Sequence, residues 1–123
     1  MKKILIVEDE LSLAETLKMR FEGIGYKVDI AGDGQEAMKK VYANRPNLIL
    51  LDIMLPKIDG YKVCRILKFD EKYRNIPVIM LTAKAQEEDK ELGFSVGANA
   101  YITKPFDTKE LIQKVKELLG EAA

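Results

Sequence analysis

Five short apolar runs punctuate the chain: Ile4-Leu5-Ile6-Val7, Tyr26 to Ile30, Leu48-Ile49-Leu50-Leu51, Val78-Ile79-Met80-Leu81 and Ala98 to Ile102. Each has the length of a β-strand. Between them apolar residues recur at helical spacing: Leu13, Leu17, Phe21 and Ile24; Ala37 and Val41; Val63, Ile66 and Leu67; Leu92 and Val96; Leu111, Val115, Leu118 and Leu119. Strand followed by helix, five times over in 123 residues, predicts an α/β fold: a parallel sheet with right-handed crossovers and helices on both faces. A chain of this length buries roughly two thirds of its unfolded surface around one core, so residues 1–123 are expected to form one domain.

The runs also order the strands. Runs one, three and four are continuously apolar, as strands covered on both faces are, whereas run two alternates Tyr26, Val28 and Ile30 with Lys27 and Asp29. Run two is therefore expected at one edge, and run five, which mixes small and polar residues, at the other. This agrees with the doubly wound, flavodoxin-like order 2-1-3-4-5. Gly23 and Gly25 close the first helix, Asp33 with Glu36 and Asp107 with Glu110 have capping-box spacing, and Pro46 and Pro77 precede strands.

Composition removes whole classes of function. Lysine plus arginine equals aspartate plus glutamate at 20 each, with a pI of about 6.4, so no positive excess is present to hold a phosphate backbone and direct nucleic-acid binding is not expected. Met1-Lys2-Lys3 opens like an export signal, but the apolar run stops at Glu8, and no run reaches membrane-spanning length. With no histidine, zinc sites and Ser-His catalysis lose their usual residues. The single cysteine, Cys64, lies in Val63-Cys64-Arg65-Ile66-Leu67 and reads as a small buried apolar group in a reducing, cytoplasmic setting.

In doubly wound sheets, ligands sit beyond the carboxyl ends of the strands where the winding reverses, here between strands one and three. Strand one ends in Glu8, Asp9 and Glu10, strand three in Asp52, strand four in Thr82 and Ala83, and strand five in Thr103, Lys104 and Pro105. A nucleotide site would place glycines in the first turn; acids stand there instead. Asp9, Asp52 and Glu8 brought together must bind a cation or raise a pKa, and oxygen ligands with retained waters suit Mg²⁺, with Mn²⁺ as a substitute. With the metal present, Lys104 and the Thr82 hydroxyl complete a phosphate site, and Asp52 can attack phosphorus in line to give an aspartyl phosphate. Taken singly, each has an ordinary reading: Glu8 or Glu10 a helix-start charge, Thr82 a cap, Lys104 a surface lysine.

Together, Ile4 to Glu10, Leu50-Leu51-Asp52-Ile53-Met54-Leu55-Pro56 through Asp59-Gly60, Val78 to Ala83 and Ala98 to Phe106 resemble the bacterial response-regulator receiver over essentially the whole chain. The resemblance implies a signalling switch rather than an enzyme. It assigns the phosphoacceptor to Asp52, metal ligation to the Asp9 and Asp52 side chains and the Met54 backbone carbonyl, the switching hydroxyl to Thr82, the ammonium to Lys104 and the aromatic switch to Tyr101. It also implies a cis Lys104-Pro105 bond and an influence of Met54 and Lys84 on phosphoryl lifetime. Where the family often has Asp, this chain has Glu8, whose longer arm is expected to reach the metal through water.

The implied partners are a histidine kinase or histidine phosphotransfer protein as donor and a downstream output protein or domain, with phosphorylation-dependent dimerisation left open. Output in this family passes through the surface of helix four, strand five and helix five, here about Ala85 to Val96 and Ala98 to Leu119. Two rival classes share part of this pattern. A flavodoxin-like electron carrier would need a phosphate-binding first loop and aromatics to stack a flavin. A phosphatase resembling the haloacid dehalogenases would need a second Asp where Met54 stands.

Overall fold

The computed structural model describes residues 1–121. Five parallel strands, β1 (Lys3–Val7), β2 (Lys27–Ala31), β3 (Leu48–Leu51), β4 (Val78–Thr82) and β5 (Ala100–Thr103), form one sheet in the order β2-β1-β3-β4-β5. The helices α1 (Leu11–Gly23), α2 (Gly34–Ala43), α3 (Gly60–Lys68), α4 (Glu87–Ser95) and α5 (Thr108–Leu118) alternate with them. Both edge assignments, to β2 and β5, hold. Among the described residues no helix is long and apolar enough to cross a membrane.

Alternation along the central strands splits the core in two, because successive side chains point to opposite faces of a sheet. Ile4 and Ile6 of β1, with Leu48 and Leu50 of β3, pack against Ala14, Leu17 and Phe21 of α1 and Leu111 and Val115 of α5. Leu5, Val7, Ile49 and Leu51 face the other way, onto Ala37 and Val41 of α2 and Val63, Cys64 and Leu67 of α3. Cys64 is fully buried, and burial pushes its thiol up to about 11.

Three local expectations shift. Strand β2 runs Lys27–Ala31 rather than starting at Tyr26. Strand β5 begins at Ala100: the Ala98 N–H is turned back to the Gly93 carbonyl at the end of α4, and Asn99 joins β4 through its N–H on the Val78 carbonyl at 2.8 Å and a side-chain oxygen that accepts from the Val78 N–H and Lys68 Nζ, each at 2.9 Å. The expected capping boxes are partial. Asp33 accepts from the Glu36 N–H as predicted, but Glu36 reaches back to the Gly32 N–H, and Asp107 accepts from Lys109 N–H rather than from Glu110.

Candidate functional site

Register brings the strand ends together. Val7 pairs with Leu51, and the Asp52 N–H donates to the Val7 carbonyl at 3.0 Å, so the residues that follow β1 and β3 emerge side by side at the centre of the sheet. Thr82 pairs with Thr103, and the Lys104 N–H donates to the Thr82 carbonyl at 2.8 Å, which brings Lys104 in from the β5 edge. The Lys104–Pro105 bond is cis.

The acids meet as expected: one oxygen each of Glu8, Asp9 and Asp52 lie within 4.8 Å of one another. Glu8 and Asp52 are 4% and 7% exposed, so they are nearly dry carboxylates facing each other, whereas Asp9 stands open to water. Lys104 bridges the two buried acids, its Nζ 2.6 Å from Glu8 Oε1 and 3.1 Å from Asp52 Oδ2. The second oxygen of Glu8 accepts from the Glu10 N–H at 3.1 Å, and Asp52 Oδ1 accepts from the Met54 N–H at 3.2 Å. Burial pushes the Glu8 carboxyl above its usual range despite Lys104; burial also works against the Lys104 ammonium, but Glu8 and Asp52 outweigh it and hold that group above its usual range.

One ammonium among three carboxylates leaves the cluster negative. A hard dication suits such a donor set, since oxygen ligands of this kind, partly open to solvent through Asp9, can hold the ion while leaving positions for water. The residues present therefore fit Mg²⁺.

Thr82 is fully buried, and its hydroxyl accepts from the Lys84 N–H at 3.4 Å. The carbonyl of the same Lys84 accepts from the Tyr101 hydroxyl at 2.7 Å. Residue 84 thus stands between the two side chains, bonded to each. Tyr101 is half-buried against the α2–α3 core face, its ring 6.4 Å from that of Phe94.

Two participants lie beyond what the sequence signals. Gly60 starts α3 pressed against the strand that carries Asp52: a Cβ there would stand 2.2 Å from the Asp52 carbonyl oxygen. The Asp59-Gly60 pair is visible in the sequence, but nothing in it announces the close approach. Tyr61 donates from its hydroxyl to the Asp89 carbonyl at 3.1 Å, joining α3 to the first turn of α4; an aromatic in the first turn of a helix gives no such signal. Nor does any spacing foretell the direct Glu8–Lys104 pair, whose members lie 96 positions apart.

A sheet wound 2-1-3-4-5 with an acidic pocket at its switch point, a lysine across it and a buried threonine beside it defines a receiver. The model of the response regulator receiver domain family matches residues 4–116, and the chain belongs to that family; phosphorylation-controlled switching is the family's general function. Relatives include the alkaline phosphatase synthesis transcriptional regulatory protein PhoP of Bacillus subtilis, 48% identical over 96% of this chain and 48% of its own length. The DNA-binding dual master transcriptional regulator RpaA of Synechocystis is 44% identical over 97% of this chain and 49% of its own length. The chain thus spans about half the length of these relatives. Among solved structures, the receiver domain of Francisella response regulator 1452 superimposes with a TM-score of 0.90 at 35% identity, covering 98% of both chains. TrrA from Thermotoga maritima in complex with Mg²⁺-BeF gives a TM-score of 0.85 at 36% identity, covering 96% of this chain and 99% of that one.

Proposed function

We propose that Asp52 accepts a phosphoryl group from a phosphohistidine on a partner protein, and that the resulting charge resets the β4–α4 loop and Tyr101. The observation that carries this is the placement of Asp52: a buried carboxylate at the end of a central strand, with Lys104 on one oxygen and the Met54 N–H on the other.

In the forward step an Asp52 oxygen attacks phosphorus, the P–N bond to the donor imidazole breaks, and the electron pair leaves with the imidazole nitrogen. Lys104 follows the charge, moving its hydrogen bonds from the Asp52 carboxylate to the new phosphoryl oxygens. The side chains of Asp9 and Asp52 and the Met54 backbone carbonyl would hold Mg²⁺, with Glu8 reaching it through water. When bound, that ion supplies charge neutralisation at the equatorial oxygens. The direct Lys104–Glu8 pair also lets Glu8 orient the ammonium toward Asp52.

The Thr82 hydroxyl is the group that turns toward a phosphoryl oxygen. Doing so withdraws the acceptor of the Lys84 N–H, and the Lys84 carbonyl is the acceptor of Tyr101, so the two side chains are coupled through one residue. The surface of α4, β5 and α5 then carries the change to an output partner. The names of PhoP and RpaA support a transcriptional output for a longer protein containing this receiver.

Incubation with acetyl phosphate and Mg²⁺ followed by intact-mass spectrometry tests the proposal. One phosphoryl adduct is expected, lost with EDTA and in Asp52→Ala; its absence in the unaltered protein would sink the reading.

A further inference from the structure

The face made by α4, β5 and α5 does not include α3, yet one side chain of α3 reaches it. Tyr61, in the first turn of α3, is half-buried against the same core cluster as Tyr101. Its hydroxyl donates to the Asp89 carbonyl at 3.1 Å. Asp89 lies in the first turn of α4, where its carbonyl also faces the N–H of Gly93 in the ordinary helical pattern, and a carbonyl oxygen has lone pairs for both. The Asp89 carboxylate returns to the start of the helix, accepting from the Gln86 N–H at 3.2 Å and standing 4.0 Å from Lys84 Nζ. Tyr61 therefore holds a residue of α4 that is tied both to the helix start and to the side chain of Lys84.

Lys84 in turn holds Tyr101, through the hydrogen bond from its phenol to the Lys84 carbonyl. The room that Tyr101 occupies is made by α4 as well. A Cβ on Gly93 would lie 2.9 Å from Tyr101 Cδ2 and 3.0 Å from its Cε2, closer than real contacts of that kind, so the ring stands where it does because position 93 has no side chain. Gly93 is one turn beyond Asp89, on the segment that Tyr61 pins.

We infer that Tyr61 is a positioning residue for the switch: by fixing the first turn of α4 through the Asp89 carbonyl, its hydroxyl holds the Lys84 carbonyl and the Gly93 cleft in register for the inward ring of Tyr101. The balance between the ring as it stands here, inward beneath Gly93 with its hydroxyl on the Lys84 carbonyl, and a ring turned outward from that cleft thus depends on α3, outside the output face. This rests on the reading of Tyr101 as the switch aromatic. It adds that a hydroxyl on a different helix biases the same equilibrium.

Removing one neutral hydrogen bond of this kind shifts an equilibrium by roughly 2- to 12-fold. The test is Tyr61→Phe, which keeps the ring and its packing and deletes the hydroxyl, a group that donates to the Asp89 carbonyl and also stands beside the Tyr101 hydroxyl. Ring-carbon NMR spectra of protein carrying ¹³Cε-tyrosine resolve its 5 tyrosines, Tyr101→Phe identifies the signal of residue 101, and Gly93→Ala, which expels the ring, supplies the outward reference. In unmodified protein, Tyr61→Phe is expected to move the Tyr101 signal toward that reference, by an amount matching a roughly 2- to 12-fold change in the inward-to-outward ratio. A thermal midpoint lowered with the Tyr101 signal unmoved would make Tyr61 a packing residue and overturn the inference. An unmoved signal with an unmoved midpoint would overturn it equally. Because the spectra are taken without any phosphoryl donor, a failure of Asp52 to accept phosphate is read separately, by mass.

Discussion

Replacing Lys104 by methionine keeps most of the length and volume of the side chain while removing the ammonium that joins Glu8 to Asp52. In its absence two carboxylates, 4% and 7% exposed, face each other within 4.8 Å. At that distance an effective dielectric of 20 gives a repulsion of about 3.5 kcal/mol, in line with the roughly 3–5 kcal/mol typical of breaking a buried pair from one side. Lys104 is itself 20% exposed, so water screens part of the effect and a loss of about 3 kcal/mol is expected at about pH 7.5 without metal.

The loss must also depend on pH. The Glu8 carboxyl already lies above its reference value of 4.5 because of burial, and deleting Lys104 removes the larger of the two influences that oppose the rise, leaving only the Glu10 N–H. A carboxyl whose folded pKa exceeds its unfolded one destabilises the ionised fold, and that cost is relieved as pH falls toward the unfolded value. The variant should therefore recover a substantial part of its deficit at about pH 5, where a proton takes the place of the ammonium. Urea denaturation of both proteins at the two pH values measures this. Equal losses at both, or a loss below about 1 kcal/mol at the higher pH, would mean that the cluster behaves as an exposed surface pair rather than a buried one held by Lys104.

Other consequences follow from the same geometry. Magnesium at about 100 times its dissociation constant should add about 2.7 kcal/mol to stability, measured by thermal melts with and without EDTA, and Asp9→Asn should reduce that increment. Gly60→Ala forces a carbon to within 2.2 Å of the Asp52 carbonyl oxygen, where only backbone can give way; a destabilisation of about 1–3 kcal/mol with slowed phosphorylation is expected from melts and mass spectrometry. The Tyr26 phenol, which burial and Glu121 push up to about 12, resists ionisation in the folded state while it titrates near 10 in the unfolded chain, so stability should fall as pH rises between those values. Tyr26→Phe should flatten that fall in alkaline denaturation curves. Cys64, fully buried and with its thiol pushed up to about 11, should resist iodoacetamide in the native protein and react once unfolded, read by mass.

The architecture is legible because periodicity and edge character are local properties of a sequence: continuously apolar β1, β3 and β4 against alternating β2 set the strand order without any long-range information. The strand-end rule then gathers Glu8, Asp9, Asp52, Thr82 and Lys104, and the structure brings the three acids and the lysine together as expected. What is not legible depends on distances between segments far apart in the chain. The start of β5 moves past Ala98, whose N–H is held by the Gly93 carbonyl at the end of α4. Gly60 reads as a turn residue until its contact with Asp52 is measured, and Tyr61 reads as helix packing until its hydroxyl is found on Asp89. Glu8 belongs to both groups: its place at the site follows from the strand-end rule, its direct grip on Lys104 does not.

Whether Asp52 carries the phosphoryl group is decided by reducing the protein with borohydride after acetyl phosphate treatment and sequencing its peptides by mass spectrometry. Hydride converts an acyl phosphate to an alcohol and leaves free carboxylates and phosphate esters untouched, so the modified position is read residue by residue. A single reduced side chain at position 52, dependent on Mg²⁺, is expected; reduction at Glu8 or Asp9 instead, or a phosphate that survives borohydride on a hydroxyl residue, would rule out Asp52 as the acceptor.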